Sequence, residues 1–395
     1  MTNSPMTLAS FKHLASTPAS GPVQSPASGP VQGPTRVRAR VPTLVRALAR
    51  LASTIVAGSV VTLTIGACAQ VNPPGGIATS AQPVASPTAP GAAPRTTPAP
   101  MSFAVFGDTP YSMAEERGLD RMMPALNRAE VEFIVHVGDL KSGQSPCSDE
   151  LLSGRRRQLE QIRRPFILLP GDNEWTDCHR PEAGRYDPQE RLTFWRRHLL
   201  EGWPALPAVH GLERQAAHEG NPLALPENRL WHASGVTFIA INLPGSNNNM
   251  SRPGTPDTER EQRTEANRRW LRHALEVARA RQAGAMVLFI HGNPLFDRAR
   301  EGPIARRDGF HAFKADLLAL AREFDAPLLL VHGDTHSYQF NQPLRDEQGA
   351  IVRTAWRLEV PGSPTVGWVK VTIDTRQPNP FRPLQSQAIS LEAAP

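Results

Sequence analysis

From Met101 onward the chain alternates short apolar runs with stretches of helical spacing. The runs are SFAVF, EFIVHV, PFILLP, VTFIAIN, AMVLFI and APLLLV, the last ending at Val331. Between them, residues Glu261 to Gln282 place Trp270, Leu271, Leu275 and Ala278 on one helical face, the pattern of a helix packed on a sheet. Alternation of this kind predicts an α/β domain with a largely parallel or mixed sheet.

The residues just after the runs carry the chemistry. Four runs lead into Gly-Asp: Gly107 and Asp108, Gly138 and Asp139, Gly171 and Asp172, Gly333 and Asp334. A fifth leads into His291 and Gly292, and His336 comes two residues after the last Gly-Asp. In an α/β sheet the carboxyl ends of the strands open on a crevice, so five strand ends bearing Asp or His aim their polar groups at one region. One Gly-Asp alone is an ordinary turn or helix cap; its recurrence points to a site. Carboxylates crowded together repel one another unless cations balance them. Four Asp and two His form a mostly oxygen-donor set suited to Mn, Fe or Mg and tolerable for Zn. Two such ions can hold a hydroxide and clamp a phosphoryl group during attack.

These blocks resemble the five motifs of the calcineurin-like metallophosphoesterases, which run D-x-H, G-D, G-N-H-[DE], H and G-H-x-H, over about Ser102 to Tyr338. The resemblance implies a four-layer α/β/β/α sandwich with two mixed sheets. It implies two divalent metal ions, one held by Asp108, Asp139 and His336, the other by Asp139, Asp172, His291 and Asp334. Asp139 would bridge them, and Asn173 would donate a hydrogen bond to a phosphoryl oxygen. The activity implied is hydrolysis of phosphate esters by a metal-held hydroxide.

Three blocks depart from the family pattern. Pro110 stands where the first block has its His, Asp172 replaces an Asn and Asp334 a His, while Asn173 occupies the place of the His that assists the leaving group. A general acid typically contributes ~10²- to 10⁴-fold, so its loss bears on turnover; Glu174 and His179 are the local candidates to replace it. A second reading therefore stands beside the enzyme, that of a surface-anchored binding protein keeping the fold without turnover. The polar loop PGSNNNMSRPGTP after the fourth run offers Asn247 and Asn248 as a substrate wall. His136 and His332 lie inside runs and read as core or near-site residues; His210, His218 and His232 have no partner spacing. Arg155, Arg156, Arg157, Arg163 and Arg164 form a basic patch able to steer an anionic substrate. No GxxxxGKS loop or GxSxG elbow supports a nucleotide-triphosphatase or covalent serine mechanism.

Charge changes the picture of the first hundred residues. Seven of the 43 basic residues and none of the 37 acidic ones fall there, leaving 36 basic residues against 37 acidic in the remainder. The sequence pI near 9.7 therefore belongs to the leader and does not specifically imply a nucleic-acid partner. Arginines from Arg36 to Arg50, the apolar LASTIVAGSVVTLTIG and the small residues before Cys68 read as a signal peptide. The Ile65-Gly66-Ala67-Cys68 order resembles a bacterial lipobox, which implies lipidation at Cys68 and a place in the cell envelope or periplasm. The expected divisions are residues 1–67 (extension and signal peptide), 68–100 (lipobox Cys and Pro/Ala-rich linker), 101–380 (catalytic domain) and 381–395 (C-terminal tail). In an exported chain the remaining cysteines, Cys147 and Cys178, are expected to form a disulfide.

Overall fold

The computed structural model describes residues 98–217, 223–251, 256–296 and 308–391. The expected leader, Cys68 and nearly all of the linker lie outside those residues, as does His218. The six apolar runs are strands: β1 (Met101–Phe106), β2 (Ile134–His136), β3 (Phe166–Leu168), β6 (Val236–Ala240), β7 (Ala285–Phe289) and β8 (Leu328–His332). Six further strands join them, namely β4 (Glu213–Gln215), β5 (Leu225–Ala233), β9 (Gln339–Asn341), β10 (Ala355–Glu359), β11 (Val369–Ile373) and β12 (Phe381–Gln385). Beyond residue 380, the expected end of the domain, β12 pairs antiparallel with β11 along its whole length. The first part of the expected tail is therefore an edge strand of the fold.

The strands form two mixed sheets, ordered β12-β11-β1-β2-β3 and β4-β5-β6-β7-β8-β10-β9. Within them β1, β2 and β3 run parallel, as do β6, β7, β8 and β10. Their inner faces meet through one core: Phe103, Val105, Phe133 and Val135 from the first sheet pack on Trp231, Phe238, Val287 and Phe289 from the second. The rings of Phe103 and Phe133 stack with centroids 5.6 Å apart, and Phe238 meets both edge-on; such pairs add to simple burial.

Helices cover both outer faces. α1 (Met113–Arg128), α2 (Asp149–Leu159) and α3 (Pro188–His198) lie on the first sheet, where Leu119, Met122, Leu152 and Trp195 pack against Phe106 and Ile134. Thr258–Ala280 and His311–Phe324 lie on the second, burying Trp270, Leu271, Leu275 and Leu317 against Ile239 and Leu288. The result is the expected four-layer α/β/β/α arrangement. The starts of the first three helices are legible in the sequence: Ser112, Ser148 and Asp187 each accept a backbone N–H of the first turn, and Pro188 opens α3. Among the described residues no helix is long and apolar enough to cross a membrane.

Two members of the Arg run, Arg155 and Arg156, are engaged within the fold. Arg155 pairs with Glu116 and donates to the Leu140 carbonyl at 2.8 Å, while Arg156 stacks on Trp203 and donates to the His198 carbonyl at 3.0 Å. These two guanidiniums fasten α2 to its surroundings, whereas Arg157 and Arg163 are exposed.

Candidate metal centre

Parallel strands present their carboxyl ends at one edge of each sheet, and the loops there carry all six expected ligands. Asp108, Asp139 and Asp172 come after β1, β2 and β3, whereas His291 comes after β7, and Asp334 and His336 after β8. The two sheets meet at this edge: the Asp334 N–H donates to Asp108 Oδ1 at 2.9 Å, and His291 Nε2 lies 3.1 Å from Asp172 Oδ1 and 3.3 Å from Asp139 Oδ1. Glycine is required by this closeness. A Cβ on Gly171 would overlap the Asp139 carboxylate, and one on Gly333 would overlap that of Asp108. At Gly107 and Gly138 a Cβ would instead meet the Val137 side chain and the Gly171 backbone, so each recurring Gly makes room for the neighbouring loop. Four of the six candidates hold a positive φ, Asp108 at 53°, Asp139 at 63°, Asp334 at 79° and His336 at 62°. Such backbone is costly outside glycine and collects at functional sites.

Two sets of ligand atoms converge. Asp108, Asp139 and His291 form one, Asp172, His291 and Asp334 the other, with the atoms of each set within 4.8 Å of one another. His291 belongs to both, whereas the family pattern implies a place with one ion only. His336 stands further out, its Nε2 3.7 Å from Asp108 Oδ1. Both histidines are oriented through Nδ1: His291 Nδ1–H donates to the Val137 carbonyl at 2.9 Å and His336 Nδ1–H to the Ser363 carbonyl at 2.8 Å. Fixing that tautomer turns Nε2 toward the carboxylates, as a cation ligand requires.

The electrostatics fit a cation. Asp108 is fully buried and its Oδ2 has no hydrogen-bond partner. Burial, against the pull of His291, pushes its carboxyl up to about 8. Burial with the charges of Asp172, Glu174 and Asp108 also holds Asp139 well above the carboxylate range, and burial with the charge of Asp172 lifts Asp334 to about 6. Asp172 is the exception, because its own burial is outweighed by the hydrogen bond and charge of His291, which hold it below the usual range. His291 mirrors this: burial lowers it, but Asp139 and Asp172 carry it well above an ordinary imidazole. In the metal-free protein, protons do the work that cations would do.

A raised folded-state value means that protons held by the native state are released on unfolding, so stability falls as pH rises. The contributions of Asp334 and Asp108 are complete below their ordinary 3.8 and are lost through about 6 and about 8 respectively. The melting temperature of chelator-treated protein is therefore expected to decline between about pH 5 and pH 8, and a saturating divalent cation to flatten that decline. Parallel pH–melting curves with and without cation would refute this account.

The remaining expectations are sorted by geometry. Asn173 turns its amide inward, with Nδ2 donating to Asp139 Oδ2 and to the Lys141 carbonyl at 3.0 Å, while its N–H donates to Asp139 Oδ1 at 3.0 Å. In this position it orients Asp139. Glu174 is buried and accepts the N–H groups of Asp139, Leu140 and Gly171, clasping two ligand loops together. His179 is exposed, with Nδ1 2.6 Å from its neighbour Thr176's carbonyl. Glu174 thus spends both its oxygens on backbone N–H groups. Asn247 and Asn248, the expected substrate wall, are bonded to a neighbouring segment: Asn247 Oδ1 accepts the Gly309 N–H and Asn248 Nδ2 donates to the Gly309 carbonyl, both at 2.9 Å, and Asn248 Oδ1 also receives Arg263. The reason is backbone geometry, since Ser246 to Asn249 all have positive φ and swing these amides toward Gly309. Cys147 and Cys178 form the expected disulfide, with Cα atoms 5.7 Å apart. His136 and His332 are fully buried, and burial lowers each to about 3, as core imidazoles. His232 is also buried, beside Thr237, and His210 faces Glu132.

Three residues of the site are not apparent from the sequence. The Tyr111 hydroxyl donates to Asp139 Oδ2 at 2.6 Å and accepts from Asn173 Nδ2 at 3.1 Å, with its ring against His336. Burial and the charges of Asp139 and Asp108 keep its phenol protonated. Its one signal is a place next to Pro110, where the family motif has no slot. Ser246 Oγ lies 2.6 Å from Asp172 Oδ2, and buried Lys141 donates to the carbonyls of Ser142 and Ser145.

Comparison with known proteins bears on this geometry. The family model of the calcineurin-like phosphoesterases matches residues 101–338. No curated protein matches the chain. Among solved structures, a dimetal phosphatase from Danio rerio is similar at 12% identity, covering 69% of this chain and 92% of that one, with a TM-score of 0.43. A purple acid phosphatase from yellow lupin (Lupinus luteus) seeds is similar at 12% identity over 73% of this chain and 54% of that one, also with a TM-score of 0.43. At such distance neither likeness carries an argument, and the assignment rests on the family match, which spans more than half of the sequence. By that match the chain belongs to the calcineurin-like phosphoesterase family.

Proposed function

We propose that the protein hydrolyses phosphate esters at a site for two divalent cations. The observation that supports this most is the pair of ligand sets sharing His291, in a pocket where burial raises Asp108 and Asp139 and leaves Asp108 Oδ2 without a partner. Asp108, Asp139, Asp172, His291, Asp334 and His336 would hold the ions, and Mn, Fe, Mg and Zn are the candidates. When bound, the ions would supply the charge that activates water and neutralises phosphoryl oxygens. The chain's own groups set the rest. Val137 and Ser363 fix the two imidazoles, Tyr111 and Asn173 hold Asp139 by both oxygens, and Glu174 ties the β2 and β3 loops together.

A protonated side chain positioned for the leaving group is not among these contacts. That favours esters with good leaving groups, and it is the observation behind the second reading, a binding protein that keeps the fold without turnover. Hydrolysis of an aryl phosphate and an aryl phosphodiester, by chelated protein reloaded with each of the four cations, separates the two. Turnover restored by a cation supports the enzyme; binding of cation with no turnover on either ester supports the second reading.

We also propose that the chain is exported, on its arginine-then-apolar leader, and lipid-anchored through Cys68, on the Ile65-Gly66-Ala67-Cys68 order. Cys68→Ser is expected to move the protein from the membrane to the soluble fraction of the cell envelope, and unchanged membrane retention would sink the anchor.

A further inference from the structure

We propose that Arg180 receives the charged phosphoryl oxygen that the metal ligands leave uncovered, and so selects phosphate monoesters; this rests on the phosphoesterase reading above. Arg180 lies two residues after Cys178 of the disulfide, with its N–H bonded to the Asp177 carbonyl at 3.0 Å, so its backbone is fixed. Its Nη2 is 2.7 Å from Asp177 Oδ2 and 3.0 Å from Ser246 Oγ. The same Ser246 oxygen lies 2.6 Å from Asp172 Oδ2 and 2.9 Å from Asp177 Oδ2. Having one proton, that hydroxyl donates to a carboxylate and accepts from Arg180. The guanidinium is thus one hydroxyl away from a candidate cation ligand.

On its other side, Nη1 faces the space above Gly143. A Cβ there would stand 3.4 Å from Arg180 Nη1 and 2.8 Å from Asn173 Oδ1, so the missing side chain of Gly143 is what lets the guanidinium lie beside the Asn173 amide, which itself touches Asp139. The side chain of Asp177 is 4% exposed and that of Arg180 43%. Asp177 takes up one edge of the guanidinium, and the exposure of Arg180 leaves other N–H donors within reach of a ligand from solvent. Arg180 has five N–H donors in a planar fork, the geometry that suits phosphoryl oxygens. A monoester dianion carries one more charged non-bridging oxygen than a diester, and that oxygen is what a third cationic group recognises.

The test compares wild type, Arg180→Ala and Arg180→Lys as full chains loaded with cation. It measures kcat/KM for p-nitrophenyl phosphate and bis(p-nitrophenyl) phosphate, bound metal, and inorganic phosphate affinity by calorimetry. Loss of a charge-assisted contact predicts a fall of about 10- to 100-fold on the monoester in the Ala variant, at least tenfold more than on the diester. Phosphate affinity should weaken in parallel, metal content should not change, and Lys should recover part of the loss. Equal falls on both esters would make Arg180 a structural residue and overturn the proposal, as would unchanged phosphate affinity. If wild type hydrolyses neither ester, the phosphoesterase reading has failed, and the phosphate titration still decides whether Arg180 binds phosphate.

Discussion

Replacing Asp139 by Asn is expected to lower phosphate ester hydrolysis by roughly three orders of magnitude, corresponding to about 4 kcal/mol of lost transition-state stabilisation. Among the candidate ligands, Asp139 is the carboxylate that accepts the most hydrogen bonds. Its two oxygens receive the Asn173 N–H, the Tyr111 hydroxyl and the Asn173 amide, and Oδ1 faces His291 Nε2 at 3.3 Å. Asn keeps an oxygen for one of those donors and nearly the same shape, so the fold is expected to survive. What it removes is the negative charge that a pair of cations would share. Steady-state kinetics on an aryl phosphate, beside a thermal melt of the metal-free variant, separates the two effects. A folded variant with activity within tenfold of wild type would show that Asp139 does not serve as a shared ligand.

Opening the Cys147–Cys178 bridge, by reduction or by the double Ser variant, is expected to cost about 3–4 kcal/mol, the chain-entropy value for a loop of this size. The bridge spans a sequence separation of 31 residues. For a domain of this length the melting temperature would drop by about 5–7 °C. Asp172, Asn173 and Glu174 all lie inside the closed loop, and Arg180 sits just beyond it. Loosening the loop therefore frees one candidate ligand, the two residues that position Asp139 and its amide, and the arginine beside Ser246. Activity should fall well before the protein unfolds with temperature. Coincident melting curves for oxidised and reduced protein would remove the bridge from the account.

The strands that carry ligands are the readable part of this fold, and there is a physical reason. A strand buried on both faces must be apolar nearly throughout, and β1, β2, β3, β6, β7 and β8 are. β5 escapes notice because it buries polar residues: Glu227 is taken up by Arg196 and Asn242, and Asn228 by Gln215 and Asn267. Hydrogen-bonded polar groups cost little inside a protein but erase the hydrophobic pattern. β11 shows the alternation of a half-buried strand, VKVTI, yet it lies past the last motif and contributes no ligand.

The site is legible in its ligands and obscure in its supports. Gly-Asp recurs because neighbouring loops fill the space a Cβ would need, a constraint that leaves a trace in the sequence. Tyr111 leaves no such trace, since its role comes from where the first loop turns. The same holds for Ser246: its loop is recognisable as polar, but only the left-handed backbone shows that the serine reaches Asp172 while the asparagines face Gly309.

The number of divalent cations retained per chain after saturation and gel filtration tests the central claim most directly. Two equivalents in wild type, with at least one lost in Asp139→Asn, is the predicted result. A protein that retains none of Mn, Fe, Mg or Zn would contradict it.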